Sequence, residues 1–127
     1  MINKWTNTTI EEINHSIKQL CQQWNVSEKD NNIIYNKIVG LQIRKVRLMR
    51  GKTQSRVAKA IGVTFQQVQK YERGHNQCSL YNLDKLSEYF EVDIDFFIKP
   101  LEDNGLTTIK RREHDYNNNR AWPQDRV

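Results

Sequence analysis

The sequence predicts an all-α protein: five short helices over residues 35–99, an amphipathic helix before them and a polar, flexible tail after them. Apolar residues recur at three- and four-residue intervals through most of the first hundred positions. Helix-capping residues and glycines divide these stretches into short units. From residue 102 onward the composition is polar, with too few aliphatic residues for a core. We therefore divide the chain into residues 1–34, 35–99 and 100–127.

The N-terminal segment, residues 1–34, contains one predicted helix from Thr9 to Trp24. A single apolar stripe runs along it, formed by Ile10, Ile13, Ile17, Leu20 and Trp24. Such a stripe needs an apolar partner, and three remain open: the main domain, the same helix of a second subunit, or another protein docked on residues 10–24. Residues 25–32 are polar and predict a linker or turn.

Residues 35–99 predict a compact domain of five helices joined by short connections. The predicted helices are Ile33–Arg50, Thr53–Ile61, Thr64–Gly74, Ser79–Phe90 and the short turn Ile94–Ile98. We expect Met49 and Leu80 to belong to the apolar faces. The second and third helices meet at Ala58 and turn at Gly62, which are the small and flexible residues that a steep helix crossing needs. This arrangement predicts a helix-turn-helix.

Positive charge is concentrated in one third of the chain. Residues 37–74 hold ten Lys or Arg and one acid, Glu72, so their net charge is +9, whereas the whole chain carries +5. A solvated helix face normally mixes the two signs, so this block indicates a surface for a polyanion. The lone Glu72 is expected to pair with an arginine inside the domain, in a structural role.

The helix that begins at Thr64 presents side chains suited to reading double-stranded DNA. Gln66 and Gln67 lie near its N-terminal end, where helix-turn-helix docking places residues that contact bases, and a glutamine amide can bond both adenine N6 and N7. Phe65 can pack on a thymine methyl group, and Lys70 can reach a guanine or a phosphate. Phosphate contacts are predicted for Gln54, Thr53, Arg44, Arg50, Lys52 and Thr64.

Three motifs resemble the Cro and lambda repressor-like family of helix-turn-helix regulators, also called the xenobiotic response element family. They are Arg44-x-x-Arg47-x-x-Arg50-Gly51-x-Thr53-Gln54, Ala58-x-x-x-Gly62-Val63-Thr64 and Gln69-Lys70-Tyr71-Glu72-Arg73-Gly74. The resemblance spans about Val39 to Phe97. It implies a five-helix fold, homodimers on inverted repeats, an ion pair between Arg47 and Glu72, and a phosphate contact by Gln54. Lys52 and Cys78 depart from the family pattern outside the reading face.

The function that the sequence predicts is sequence-specific binding of a DNA operator by a homodimer that regulates transcription, as a repressor. An antitoxin-type protein, which binds both a partner protein and its own operator, is the alternative. RNA binding is less favoured because most aromatic residues fall at predicted core positions.

Other classes of protein find little support in the sequence. The three histidines are scattered and no nucleophile or phosphate-loop motif is present, so we do not expect an enzyme. Cys21 and Cys78 form no close pair, so we expect reduced thiols, with no metal and no cofactor. No apolar run is long enough to cross a bilayer and no signal peptide is evident, so we expect a cytoplasmic protein without membrane contact.

Overall fold

The computed structural model describes residues 4–24 and 27–107, with residues 4–8 described as backbone only. Within these ranges the chain forms α-helices, one 3₁₀ helix and no β-strand, so the prediction of an all-α fold is confirmed. The elements are α1 (Lys4–Gln22), α2 (Glu28–Met49), α3 (Gln54–Ile61), α4 (Phe65–Arg73), α5 (Leu80–Phe90), the 3₁₀ helix (Ile94–Ile98) and α6 (Lys99–Asp103).

Local capping sets the limits of α3, α4 and α5. The side chains of Thr53, Thr64 and Ser79 each accept a hydrogen bond, 3.1 Å long, from the backbone N–H three residues on. Each therefore supplies a partner to one of the N–H groups that a helix start leaves free. Gly62 and Gly74 end α3 and α4 with φ of 73° and 72°, a conformation that glycine adopts without strain.

Helix α2 begins five residues earlier than the sequence predicted, at Glu28 instead of Ile33. Ser27 adopts the extended conformation of an N-cap, and Glu28 and Asp30 place negative charge in the first turn. Carboxylates there favour a helix because they face the positive end of its dipole. Much of the predicted linker is therefore helical.

The main core lies between α2, α3, α4, α5 and the 3₁₀ helix. Among its most deeply buried side chains are Ile43, Val46, Val57, Ile61, Val68, Leu86, Phe90 and Phe97. Two side chains expected on the apolar faces are instead exposed: Met49 is 37% accessible and Leu80 is 73% accessible. Each lies at a helix terminus: Met49 is the last residue of α2 and Leu80 is the first residue of α5.

A second, smaller cluster joins the two ends of the described chain. Ile13 and Ile17 of α1 pack with Ile34 and Ile38 of α2 and with Leu101 of α6. The stripe on α1 thus finds its partner within the chain. Of the three partners that the sequence left open, the main domain is the one that Ile13 and Ile17 contact.

The same cluster shifts the C-terminal boundary of the folded region. We placed the start of the polar tail at residue 100, but Pro100 lies in the first turn of α6, where its fixed φ suits a helix. Leu101 is fully buried and Glu102 is 8% accessible. The helical domain therefore continues through Asp103. The remainder of the predicted tail, from residue 108 onward, lies outside the described residues.

Helices α2 and α4 are in close contact at Gly40, in the middle of α2. A Cβ atom at this position would lie 2.2 Å from the carbonyl oxygen of Tyr71 and 2.8 Å from that of Glu72. Both atoms belong to the α4 backbone, so no side-chain rotation can relieve the clash. Only glycine allows the last turn of α4 to rest against α2 in this way.

We expect Gly40→Ala to lower the free energy of unfolding by about 3 kcal/mol or more, because inserting atoms against a rigid backbone strains the packed helices. Urea denaturation followed by circular dichroism measures this. Gly51→Ala is the matched control: its Cβ would meet nothing within 4 Å, and only the positive φ of 65° would cost free energy, about 1 kcal/mol. Equal losses in the two variants would contradict the close contact at Gly40.

Candidate nucleic-acid interface

Helices α3 and α4 form a helix-turn-helix whose inner faces are closed by the main core. Val57 and Ile61 of α3 and Val68 of α4 are at most 1% accessible. The turn between the helices consists of Gly62, Val63 and Thr64. Since the inward faces are fully used for packing, the outward face of α4 is left for contacts with another molecule.

The outward face of α4 presents most of the predicted base-reading side chains. Phe65 is 39% accessible, and Gln66 and Lys70 are also exposed. Gln67 differs: it is half-buried, and its amide oxygen lies 3.5 Å from the Nδ2 donor of Asn76. The backbone N–H of Gln67 donates a hydrogen bond to the side chain of Thr64, but the Gln67 side chain makes no hydrogen bond back to Thr64.

Beside α4 lies a basic concavity of about 570 Å³, which collects side chains from α2, α3 and α4. Its lining consists of Arg44, Arg47, Lys52, Thr53, Gln54, Ser55, Phe65, Gln69, Glu72 and Arg73. Four of these residues are cationic and one is acidic. The first residues of α3 contribute to the wall, so the positive end of that helix dipole adds to the field. An anion with several oxygens, such as a phosphate backbone, fits this chemistry.

The single acid of the concavity is engaged by a nearly buried ion pair. Arg47 donates through Nε to Oε2 of Glu72 at 2.6 Å and through Nη2 to Oε1 at 2.9 Å. The side chains are 11% and 4% accessible. Arg47 also donates to the carbonyl oxygen of Lys52 at 3.1 Å, and Gln54 donates to Glu72 Oε1 at 3.1 Å. One network therefore links α2, the turn after it, α3 and α4.

This network changes how Gln54 can act. Its side-chain amide is held by Glu72 in the free protein, although the residue remains half-buried at the start of α3. The backbone N–H groups at the helix start remain as further donors for an anion. The amide thus orients the α3 terminus against α4.

The other predicted phosphate-contacting residues occupy different environments. Arg44, Lys52 and Thr53 line the basic concavity, whereas Arg50 and Thr64 do not. The Nε of Arg50 donates to the carbonyl oxygen of Phe90 at 2.9 Å, where it satisfies an acceptor at the end of α5. The ammonium of Lys52 also lies 5.9 Å from the ring centroid of Tyr89.

Sequence reasoning left three lining residues out of the predicted site: Ser55, Gln69 and Arg73. Gln69 and Arg73 are four residues apart, so they share one face of α4, and Phe65 lies four residues before Gln69 on the same face. That spacing is the signal that could have revealed them. Ser55 follows Thr53 and Gln54 at the start of α3.

Neither cysteine belongs to the interface. Burial raises the pKa of the Cys78 thiol to about 12 and also raises the pKa of the Cys21 thiol. Both are therefore protonated near neutral pH, and a protonated thiol is a poor nucleophile and metal ligand. In the described part of the chain, no three His, Cys, Asp or Glu side chains group closely enough to hold a metal ion. No described helix is long and apolar enough to cross a membrane.

Comparisons with known proteins agree with this geometry. A helix-turn-helix family model matches residues 43–97. An uncharacterised HTH-type transcriptional regulator of Sinorhizobium medicae is 37% identical over 67 residues, which are 53% of this chain and 48% of that protein. An uncharacterised transcriptional regulator in the ATPase CF(0) region of Rhodospirillum rubrum is 42% identical over 64 residues, 50% of this chain and 59% of that protein. The chain thus spans about half the length of these relatives.

A solved structure shares the fold. The crystal structure of the clp gene regulator ClgR from Corynebacterium glutamicum superimposes with a TM-score of 0.51 at 20% identity, over 65% of this chain and 93% of that one. Residues 43–97 therefore form a helix-turn-helix domain. These residues are similar to the helix-turn-helix family whose model they match, as the motifs of the sequence indicated.

We expect Glu72→Gln to lower the free energy of unfolding by about 3 kcal/mol, because it leaves the Arg47 guanidinium nearly buried without its counter-charge. Urea denaturation of the variant and the parent protein measures the loss. Asp103→Asn is the control, since it removes an ion pair with Lys99 whose side chains are 55% and 52% accessible. Loss of that exposed pair is expected to leave the unfolding midpoint unchanged. A Glu72→Gln protein as stable as the control would show that the pair does not brace the domain.

Proposed function

We propose that this protein binds double-stranded DNA in a sequence-specific manner and regulates transcription. The observation that carries the proposal is the position of α4: its outward face presents amide and cationic side chains beside a concavity whose one acid is already neutralised by Arg47. Excess positive charge and an exposed reading helix are what a major-groove binder requires. The relatives named as transcriptional regulators support the proposal.

In the proposed complex, α4 enters the major groove with its N-terminal turn toward the bases. Gln66 bonds the N6 and N7 atoms of an adenine, Phe65 packs on a thymine methyl group, and Lys70 reaches a guanine or a nearby phosphate. Gln67 joins the bases once its weak contact with Asn76 is exchanged for one with DNA. The exposure of Gln66 supports its role most directly.

Phosphate contacts surround this reading helix. Arg44, Lys52 and Arg73 approach the backbone from the basic concavity, and Thr53 and Gln54 bring the start of α3 to it. Thr64 extends the contact at the start of α4, and Arg50 reaches the backbone after its bond to the Phe90 carbonyl is given up. Arg47 and Glu72 act differently: they fix the angle between the helices and do not touch DNA.

We further propose that two copies bind together and repress transcription. A homodimer places two α4 helices in successive major grooves, about 34 Å apart, so its operator is an inverted repeat. A dimer seated on a promoter excludes polymerase from the same face of the DNA. Selection of bound sequences from a random duplex library identifies the operator, and a promoter reporter carrying that operator then shows the sign of regulation.

We expect Gln66→Ala to weaken binding to the selected operator by about 1–3 kcal/mol and to leave binding to random duplex unchanged, because only the base-specific bonds are lost. Fluorescence anisotropy with the two duplexes measures both affinities. Gln22→Ala, an exposed glutamine near the end of α1, is the control and should change neither. An equal loss on both duplexes would contradict direct reading of bases by Gln66.

Unlike Gln66→Ala, the substitution Arg44→Ala is expected to weaken binding to the operator and binding to random duplex by the same factor. An exposed arginine of the concavity that meets a phosphate contributes counterion release, which does not depend on sequence. The slope of log Kd against log salt should fall by about 1. Lys29→Ala, which removes an exposed cation at the start of α2, should leave that slope unchanged. A loss confined to the operator would assign Arg44 to base reading.

A further inference from the structure

An apolar groove of about 370 Å³ lies beside α4, on a part of the surface that the proposed DNA contacts do not use. Helix α2 contributes Tyr35 and Val39 to its lining, and α4 contributes Tyr71. Leu83 of α5 and Ile98 of the 3₁₀ helix also line it. None of the side chains proposed above for bases or phosphates is among its lining residues. The groove therefore requires an explanation of its own.

Several apolar side chains at this groove are exposed. Leu80 is 73% accessible and Ile94 is 39% accessible, and both line the groove. Tyr81, the next residue on α5, is 67% accessible. Scattered apolar residues on a surface need no explanation, but a cluster of them around an apolar recess marks a contact site. An apolar group is therefore expected to cover this groove.

We propose that the chain covers the groove with its own C-terminal segment, residues 108–127, and that the side chain of Trp122 enters it. This segment lies outside the described residues, so the argument rests on the groove, on the place where the described chain ends and on the chemistry of the segment. The inference concerns packing within one chain. It holds whether or not the protein reads DNA.

The described chain ends on a cluster that also supports one side of the groove. Leu106 packs on the smaller cluster formed by α1, α2 and α6, and Tyr35 and Ile98 pack on the same cluster. Tyr35 and Ile98 are also lining residues of the groove. The C-terminal segment therefore starts from the side of the domain on which the groove lies.

The segment is long enough to reach the groove. Trp122 is 15 positions beyond Thr107, the last described residue. A chain of that length spans up to about 50 Å when extended and about 20 Å on average when flexible. A domain of about 100 residues has a radius of gyration of only about 13 Å. The tether gives the segment an effective concentration on the order of millimolar, so even a weak contact forms.

The chemistry of Trp122 matches the lining of the groove. Its ring is the largest apolar side chain of the segment, and a buried indole N–H needs an acceptor. Asn36, Asn76 and Asp95 bring side-chain oxygen acceptors to the lining. A residue that precedes a proline favours an extended backbone, and Pro123 follows Trp122. This preference reduces the conformational entropy that Trp122 loses when it docks.

Charge favours the segment at the groove over the basic concavity. Residues 75–99, which include α5 and the 3₁₀ helix, carry a net charge of −3, whereas the C-terminal segment carries +2. Asp95 is the one charged residue of the lining. In an extended chain, residues two apart point to the same side, so Arg120 accompanies Trp122 and meets Asp95. The basic concavity has four cations in its lining and repels the segment.

The size of the groove favours one inserted side chain. Sites for small molecules have volumes of roughly 300–1,000 Å³, and this groove is at the lower end of that range. A standard protein interface takes roughly 20–30 residues from each side, whereas twelve residues line the groove. A tethered side chain does not need a large interface, because the tether already supplies proximity.

Fluorine NMR of the full chain labelled with 5-fluorotryptophan tests the proposal. The Trp122 resonance is identified by its absence from the spectrum of Trp122→Phe. Leu80→Asp should move this resonance toward that of free 5-fluorotryptophan, because a charge in the groove disfavours the ring. The aspartate falls in the first turn of α5, where it favours the helix, so the variant should fold.

Met49→Asp is the matched control for Leu80→Asp. Met49 is 37% accessible, lies at the end of α2 and does not line the groove. Its substitution should leave the Trp122 resonance in place. A parent protein whose Trp122 resonance coincides with that of free 5-fluorotryptophan, or a resonance that Leu80→Asp does not move, would overturn the proposal.

Charge reversal tests the contact between Arg120 and Asp95. Arg120→Glu and Asp95→Lys should each lower the equilibrium constant for docking by about threefold, measured from the position of the Trp122 resonance. The double variant should restore it, because opposite charges face each other again. Arg112→Glu makes the same change of charge elsewhere in the segment and should have a smaller effect. A double variant that restores nothing would overturn this ion pair.

Photo-crosslinking identifies the occupant of the groove. A benzophenone amino acid at position 122 should attach to lining residues of the groove in a product of monomer size, with a yield that does not depend on protein concentration. Products of dimer size would place the segment of one copy on another copy. That result, or crosslinks only to other surfaces of the domain, would overturn docking within one chain.

Discussion

The close contact between α2 and α4 is the constraint on which the rest of the structure depends. Gly40 lets the two backbones meet, and the Arg47–Glu72 pair joins the same helices on another part of their contact. The first fixes how near α4 lies, and the second fixes its angle through a bidentate geometry with two bonds of set direction. Because Glu72 already pairs with Arg47, no acidic side chain of the concavity offsets the positive charge of its other cations. Stability and electrostatics are thus set by one network.

Those parts of the fold that depend on a few consecutive residues were predicted well from the sequence. The starts of α4 and α5 follow from Thr64 and Ser79, whose side chains cap a backbone group three residues away. Contacts between distant residues were not predictable in this way. Gly40 looks like a weak helix position in the sequence, and only the fold shows it against Tyr71, 31 residues on. Leu80 fits an apolar helical period, but its place at the start of α5 leaves it exposed.

The candidate site shows the same division. Helical periodicity alone was enough to predict that Phe65, Gln66 and Lys70 face outward, and all three are exposed. It could not predict what a long, flexible cationic side chain contacts. Arg50 was assigned to phosphate on charge alone, and its contact in the free protein with the carbonyl oxygen of Phe90, 40 residues away, could not be read from the sequence. Residue type indicates which hydrogen bonds a side chain can make, but the folded structure determines which of the possible partners it bonds.

The meeting of α1 with α6 has a consequence for how the chain is made. Cys21 and the carbonyl oxygen of Pro100, which lie 4.0 Å apart, are separated by 79 residues of sequence. When α1 leaves the ribosome, the part of its covering surface that α6 supplies has not yet been synthesised, so its apolar stripe can pack only against α2. The core of residues 43–97 can close in the meantime. Helix α1 is translated before α2 and α6, yet it is among the last elements to reach its final packing, since contacts so distant in sequence form late.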